Sequence, residues 1–173
     1  MKLDNATVLI TGANRGIGLA FAKAALARGA RKVYAGARDP KSVTLLQLDV
    51  NSPADIAAVA AAGDVTVASV ASWITSPALA GYAVSKSAVW SLSNGLRNEL
   101  RGQKTQVLTL HMAFVETDMT QGIASPKSTP EQIVAKALDA LEASADEVLA
   151  DEMTQQVKMG LSAQPGVYLQ EQD

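Results

Sequence analysis

The chain has 173 residues, a length that fits one domain with a substantial hydrophobic core. Its formal net charge is −2 and no basic tract stands out, which argues against nucleic acid as a partner. Because it contains no cysteine, disulfides and thiolate metal sites are excluded. No apolar run is long enough for a membrane span or a signal-peptide core, so the sequence predicts a cytoplasmic protein without a membrane partner.

Strand and helix patterns alternate along the chain. Short apolar stretches predict strands at 7–10, 32–37, 44–50, 64–69, 107–110 and 147–151. Helical patterns cover 19–28, 53–62, 82–100 and 130–143. This alternation predicts an α/β fold, a doubly wound, Rossmann-like parallel sheet with helices on both faces. No linker or repeat marks a second domain, so residues 1–173 are predicted to form one.

A glycine-rich turn follows the first predicted strand, where residues 11–18 read TGANRGIG. Gly12 would permit the tight turn, Gly16 would let the backbone approach a phosphate, and Gly18 would let the helix pack closely on the sheet. The free N–H groups of the helix then favour a dinucleotide pyrophosphate. A glycine turn without a ligand is the alternative, which the flanking strand and helix make less favoured. The candidate cofactor contacts here are Gly12, Asn14, Arg15, Gly16, Ile17 and Gly18.

Two arginines bear on the choice of dinucleotide. Arg15 lies in the turn, and Arg38 directly follows the second strand, where an arginine can accommodate a 2′-phosphate. Asp39 argues the other way, because an acidic residue near this position can hold a ribose 2′-hydroxyl. Two guanidinium groups favour NADP over NAD, unless both are solvated surface charges.

A tyrosine and a lysine lie four residues apart at the start of the longest predicted helix. Tyr82 and Lys86 therefore share one helix face. A nearby ammonium favours the phenolate form of a tyrosine, and such a phenol can give a proton to a carbonyl oxygen or take one from an alcohol. In isolation, an ordinary exposed pair on a helix would be the better interpretation.

Together these motifs resemble the short-chain dehydrogenase/reductase family. The resemblance implies a Rossmann fold, an NAD(P)-dependent oxidoreductase and a small carbonyl or alcohol substrate. The matching residues are the turn at 11–18, Leu48-Asp49-Val50, Ser69 thirteen residues before Tyr82, Lys86, and the segment 114–119, which resembles the family's turn after its sixth strand.

The resemblance also implies roles for individual residues. Tyr82 would be the acid/base, and Lys86 would activate it and bind the nicotinamide ribose. Ser69 would hydrogen-bond the substrate oxygen, as a donor aimed at developing negative charge. The remaining implied cofactor contacts are Asp49 and Val50 beside the adenine, Val115, and Thr117 at the nicotinamide carboxamide.

One strand–helix–strand passage usual in that family is absent, which leaves fewer strands than the family norm. Residues 62–66 resemble the start of its fourth strand and 67–69 the end of its fifth, so roughly 30 residues or more are missing. Because unpaired buried backbone groups are costly, the strand at 64–69 is expected to pair directly with that at 7–10. Ser69 would then shift by one strand spacing, ~4.8 Å. The loss would also uncover the longest helix and compromise the family's usual oligomer interface.

Other candidate residues receive structural interpretations. His111, the only histidine, ends a strand and is expected to be a satisfied core residue. The adjacent pairs Asp146-Glu147 and Asp151-Glu152 are expected on the solvated surface rather than at a metal. Trp73 and Trp90 are expected to pack, although they could line a substrate mouth.

Three interpretations of function remain open. The first is an NADP-preferring oxidoreductase that transfers hydride between the nicotinamide and a carbonyl or secondary alcohol, with Tyr82 as acid/base. The second is a catalytically impaired dinucleotide-binding or interaction module that kept the motifs but lost their geometry. The third is a chain too short to fold as a stable monomer. The sequence leaves open whether the protein is a homo-oligomer.

Overall fold

The structure of the chain, a computed structural model, describes residues 2–36 and 64–170. Its strands are β1 (Thr7–Thr11), β2 (Lys32–Gly36), β3 (Asp64–Val67), β4 (Val107–His111) and β5 (Glu147–Leu149), and its helices are α1 (Gly16–Ala27), α2 (Ala80–Glu99), α3 (Pro130–Glu142) and α4 (Glu152–Gly160). All ladders among these strands are parallel: β1 pairs with β2, and β4 lies between β3 and β5. This is the Rossmann-like α/β architecture that the alternating pattern predicts, with few strands.

Most predicted elements are present, with small shifts at their ends. α1 begins at Gly16, inside the glycine-rich motif, and α2 begins at Ala80, two residues before Tyr82. α4 was not predicted from the sequence. Several predictions lie outside the described residues, namely the strand at 44–50, the helix at 53–62, and the candidate contacts Arg38, Asp49 and Val50.

The strand predicted at 64–69 pairs differently from the expectation. Its regular part, β3, lies beside β4 with Val67 opposite Leu110, whereas β1 pairs with β2. Among the described residues no ladder joins β1 to β3, so the expected direct pairing is wrong. The reason lies in the helices. Moving β1 next to β3 would pull the attached α1 away from α3 and open the close-packed core that these helices share.

That core joins the two groups of strands. α1 packs against α3 and on β1 and β2, α3 lies on β4, and side chains of α1, α3 and β4 share one buried cluster. Burying these side chains removes apolar surface from water, which is the main stabilising term in folding. The cluster's members include Ala20 and Phe21 of α1, Leu108 and Leu110 of β4, and Val134, Ala137 and Leu138 of α3.

Arg28, just past the end of α1, fixes the position of α1 on α3. Its guanidinium donates to the carboxylates of Asp139 at 2.7 Å and Glu142 at 3.2 Å, and to the Ala135 carbonyl at 3.3 Å. Only 24% of its side chain is exposed. A planar group with several donors that reaches three acceptors on one helix sets both the separation and the register of the two helices.

α2 is covered on little of its surface, as the missing passage predicts. Ala83 and Ser93 are its only buried residues. Val84 and Leu92 are 71% and 59% exposed, although both are apolar. No helix in the described ranges is long and apolar enough to cross a bilayer.

Replacing Arg28 with alanine tests how far the α1–α3 contact stabilises the fold. We expect the free energy of unfolding to fall by about 1–3 kcal/mol, because hydrogen bonds between charged groups contribute about that much. Arg101→Ala is the control, since Arg101 is exposed and donates to Asn98 of the preceding helix at 3.2 Å. Urea denaturation measures both variants, and equal losses would contradict the role assigned to Arg28.

Candidate active site

One cavity lies where the first β–α turn, the end of β3, the start of α2 and the loop after β4 meet. Its volume is about 1560 Å³. Leu9 and Thr11 of β1 and Val67 of β3 line it, so both open strand edges face this space. Its walls include every predicted site residue in the described part of the chain: Gly12, Asn14, Arg15, Gly16, Ile17, Gly18, Ser69, Tyr82, Lys86, Val115 and Thr117.

The glycine-rich turn has the geometry that its three glycines predict. Gly12 and Gly16 have φ values of +66° and +52°, a conformation that residues other than glycine rarely adopt. A Cβ on Gly18 would lie 2.3 Å from the Gly12 carbonyl oxygen, so only glycine lets the helix pass this close to the turn. The first turn of α1 carries no acidic side chain. Its free N–H groups therefore form a cradle suited to an anion.

Arg15 does not stand free in the cavity. Its Nη1 donates to Asp118 Oδ2 at 2.8 Å, and both side chains are about two-thirds exposed. An exposed ion pair of this kind is weak and easily exchanged. A phosphate entering the cavity can compete with Asp118 for the guanidinium. The sequence around Arg15 does not indicate this ion pair, because Asp118 lies 103 residues away on the loop after β4.

Tyr82 and Lys86 share one face of α2, as their spacing predicts. The Lys86 ammonium lies 5.6 Å from the centroid of the Tyr82 ring. It donates to the Val67 carbonyl oxygen at 2.8 Å, at the open edge of β3. Burial lowers the pKa of Lys86 from its ordinary value. The ammonium is thus held between the tyrosine and a strand edge.

Comparison with known proteins agrees with these features. The family model described as short chain dehydrogenase matches residues 59–128. The match spans 70 of the 173 residues, so this part of the chain is similar to short-chain dehydrogenases. No curated protein matches it significantly.

Solved structures of several dehydrogenases share the fold. One from Burkholderia cenocepacia J2315, crystallised with NADP, is 24% identical with a TM-score of 0.83 and covers 95% of this chain and 96% of its own. The bulky-bulky ketone specific alcohol dehydrogenase of Comamonas testosteroni is 18% identical with a TM-score of 0.66, covering 97% of each chain. A short-chain dehydrogenase/reductase from Mycobacterium ulcerans is 16% identical with a TM-score of 0.70, covering 86% of this chain and 88% of its own.

Ser69, the serine that the family resemblance singles out, is buried at the cavity wall with its hydroxyl engaged. Its Oγ accepts a hydrogen bond from the Ala71 N–H at 3.1 Å and caps the short turn Val70–Ser72. The same hydroxyl donates to the Met112 carbonyl oxygen at 3.3 Å. For Ser69 to donate to a substrate, this O–H must rotate away from Met112.

A cluster of charged and aromatic side chains lies behind Ser69. His111 is fully buried and its ring stacks on that of Trp73, with 4.1 Å between the ring centroids, which agrees with the core position expected for it. It is not fully satisfied, however, because its Nε2 has no hydrogen-bond partner. Trp73 and Trp90 pack edge to face at 5.9 Å and do not line the cavity. The Lys158 ammonium lies 4.6 Å from the Trp73 ring.

Two acidic residues expected on the solvated surface are instead structural, so that expectation is wrong for them. Glu147 lies 3.3 Å from His111 Nε2 and binds the Lys158 ammonium at 3.0 Å. These neighbours, His111 foremost, lower the pKa of Glu147 to about 2. Asp151 accepts hydrogen bonds from the Thr154 N–H at 2.8 Å and the Ala113 N–H at 2.7 Å, capping α4 and tethering the loop after β4.

Gly18→Ala tests whether the close approach at the turn is needed. The new Cβ would overlap the Gly12 carbonyl oxygen, so the turn or the helix must shift, and we expect a loss of about 1–3 kcal/mol in unfolding free energy.

The matched control is Gly95→Ala, where a Cβ on α2 would meet no atom within 4 Å. Alanine is a better helix former than glycine, so this variant should be neutral or up to about 1 kcal/mol more stable. Thermal unfolding followed by circular dichroism compares the two. A Gly18→Ala protein as stable as Gly95→Ala would refute the close approach.

Proposed function

We propose that the protein is an NADP-preferring oxidoreductase that transfers hydride between a nicotinamide and a small carbonyl or secondary alcohol. The observation that carries this is the shared cavity, in which the anion cradle of α1 and the Tyr82–Lys86 pair face one space. In this proposal residues 1–173 form one dinucleotide-binding domain. The Burkholderia structure crystallised with NADP and the Comamonas alcohol dehydrogenase support the same class of reaction.

The residues of the cavity fit a dinucleotide. Gly18 has no room for a Cβ against the Gly12 carbonyl, and Gly12 has a positive φ of +66°. Glycine at both positions keeps the turn tight, where backbone N–H groups can meet a pyrophosphate. About 1560 Å³ exceeds the volume of an ordinary drug-sized pocket, so cofactor and substrate can share it. Arg15 would exchange Asp118 for a 2′-phosphate, with Arg38 as the second basic partner. Asp49 and Val50 would contact the adenine, and Val115 and Thr117 the nicotinamide side.

The acid/base chemistry falls to the side chains on α2 and after β3. When bound, the cofactor supplies or accepts the hydride at the substrate carbon. Tyr82 gives its phenolic proton to the carbonyl oxygen in reduction, which completes the alcohol, and takes that proton back in oxidation. The Lys86 ammonium stabilises the phenolate left by proton transfer. Ser69 donates its O–H to the substrate oxygen as negative charge develops there.

A second candidate is a module that binds dinucleotide without turnover. The observation in its favour is the contact of Lys86 with the Val67 carbonyl, at a strand edge that no described strand covers. An ammonium that donates to this carbonyl has one N–H fewer for a cofactor ribose. Under this alternative the glycine cradle works but the catalytic geometry does not.

Tyr82→Phe separates the two candidates. Loss of the phenolic proton should lower kcat for reduction of a dicarbonyl by NADPH about 10²- to 10⁴-fold, the usual contribution of a positioned acid. NADPH binding should stay within about twofold, because the ring remains.

Tyr168→Phe is the matched control, since Tyr168 is 55% exposed and lies outside the cavity. Its activity should equal that of the unsubstituted protein. If Tyr82→Phe and Tyr168→Phe turn over equally, Tyr82 is not the acid. A protein that binds NADPH but never turns over would favour the non-catalytic module.

A further inference from the structure

His111 touches the peptide of Ser69 from behind the cavity. Its Nδ1 is 3.2 Å from the Ser69 carbonyl oxygen, and its ring is held against Trp73. Its other nitrogen, Nε2, is 3.3 Å from Glu147 Oε1 but makes no aligned hydrogen bond. The chemistry proposed above uses Ser69 and gives this buried histidine no part.

The neighbours of the imidazole determine which nitrogen carries a proton. A carbonyl oxygen can only accept, so the contact with Ser69 requires N–H at Nδ1. Glu147 Oε1, 3.3 Å from Nε2, is also only an acceptor, but it has a second donor in the Lys158 ammonium at 3.0 Å. The Ser69 contact therefore requires a proton at Nδ1, either in a neutral ring or in a ring that is protonated at both nitrogens.

Ser69 lies just beyond the regular ladder, between the Ala68 N–H bond to Leu110 and the Val70 N–H bond to Met112. The ladder between β3 and β4 ends at Val67, and beyond it the chain turns into Val70–Ser72. Single contacts then fix the turn, among them the Val70 N–H to the Met112 carbonyl at 2.9 Å. The His111 contact is the side-chain anchor on the Ser69 carbonyl, two residues beyond Val67, where the ladder stops.

We propose that His111 is a positioning residue: its Nδ1–H holds the Ser69 carbonyl and so directs the Ser69 hydroxyl toward the substrate oxygen. The inference rests on the proposed function, since it assigns Ser69 a substrate. The Ser69 carbonyl also accepts the Ser72 N–H at 3.0 Å, so without the imidazole it keeps one of these two contacts and the peptide is held less firmly. A displacement near 1 Å at a reacting group can cost about a hundredfold in rate.

The protonation of Nδ1 can be measured without any assay of activity. Because the chain has one histidine, protein labelled with ¹⁵N-histidine gives a single imidazole in long-range ¹H–¹⁵N spectra. Protonated and unprotonated ring nitrogens resonate in well-separated regions. We expect Nδ1 to be protonated at neutral pH. A neutral ring with its proton at Nε2 would overturn the inference.

Two substitutions test the positioning role. An asparagine amide can put its NH₂ group where Nδ1 stands, whereas a glutamine amide reaches the position of Nε2. His111→Asn should therefore keep kcat within about fivefold of the unsubstituted protein, and His111→Gln should lose at least about tenfold. Both remove the buried ring, so both should lower the melting temperature, and KM for NADPH should stay unchanged.

The outcomes separate this inference from the function on which it rests. An unsubstituted protein without turnover would overturn both. An active protein in which the asparagine and glutamine variants lose kcat equally would overturn the positioning role alone, because the loss would then follow the missing ring and not the missing donor. Rescue by asparagine together with a protonated Nδ1 supports it.

Discussion

The packing of α1 on α3 is the constraint on which the rest of the structure depends. β1 and β2 share no described ladder with the sheet of β3, β4 and β5, so the helices and the common core set the distance between the two groups. Arg28 adds three polar contacts across that helix pair. Because packed side chains resist small displacements, this contact can hold two separate sheet edges around one cavity.

The residues of the proposed site come from both groups of strands. The anion cradle belongs to β1 and α1, whereas Ser69, Tyr82 and Lys86 belong to the β3 side. Hydride transfer needs both in register to within about 1 Å, so any loosening of the α1–α3 contact should reduce catalysis before it unfolds the protein. The Lys86 contact with Val67 shows how an open edge finds a donor, since an unpaired carbonyl at a buried edge is costly.

Local patterns made much of this predictable. The glycine spacing anticipates the turn because positive φ and close packing leave few other residues possible, and the four-residue spacing of Tyr82 and Lys86 follows from helix geometry. The pairing of 64–69 was predicted wrongly, because strand order depends on which helices pack together across the whole chain. The residues next to Glu147 in the sequence likewise predict an exposed side chain. Its contact with His111 depends on the pairing of β4 with β5, which local sequence does not reveal.

The central proposal is that the chain holds a dinucleotide between two strand groups that no described ladder joins. Titration calorimetry of the full chain with NADPH, and with NADH for comparison, tests it most directly. The account predicts saturable binding of one NADPH per chain, tighter than NADH. Binding of neither cofactor by a protein that unfolds cooperatively would contradict it, since the cradle would then be present without its ligand.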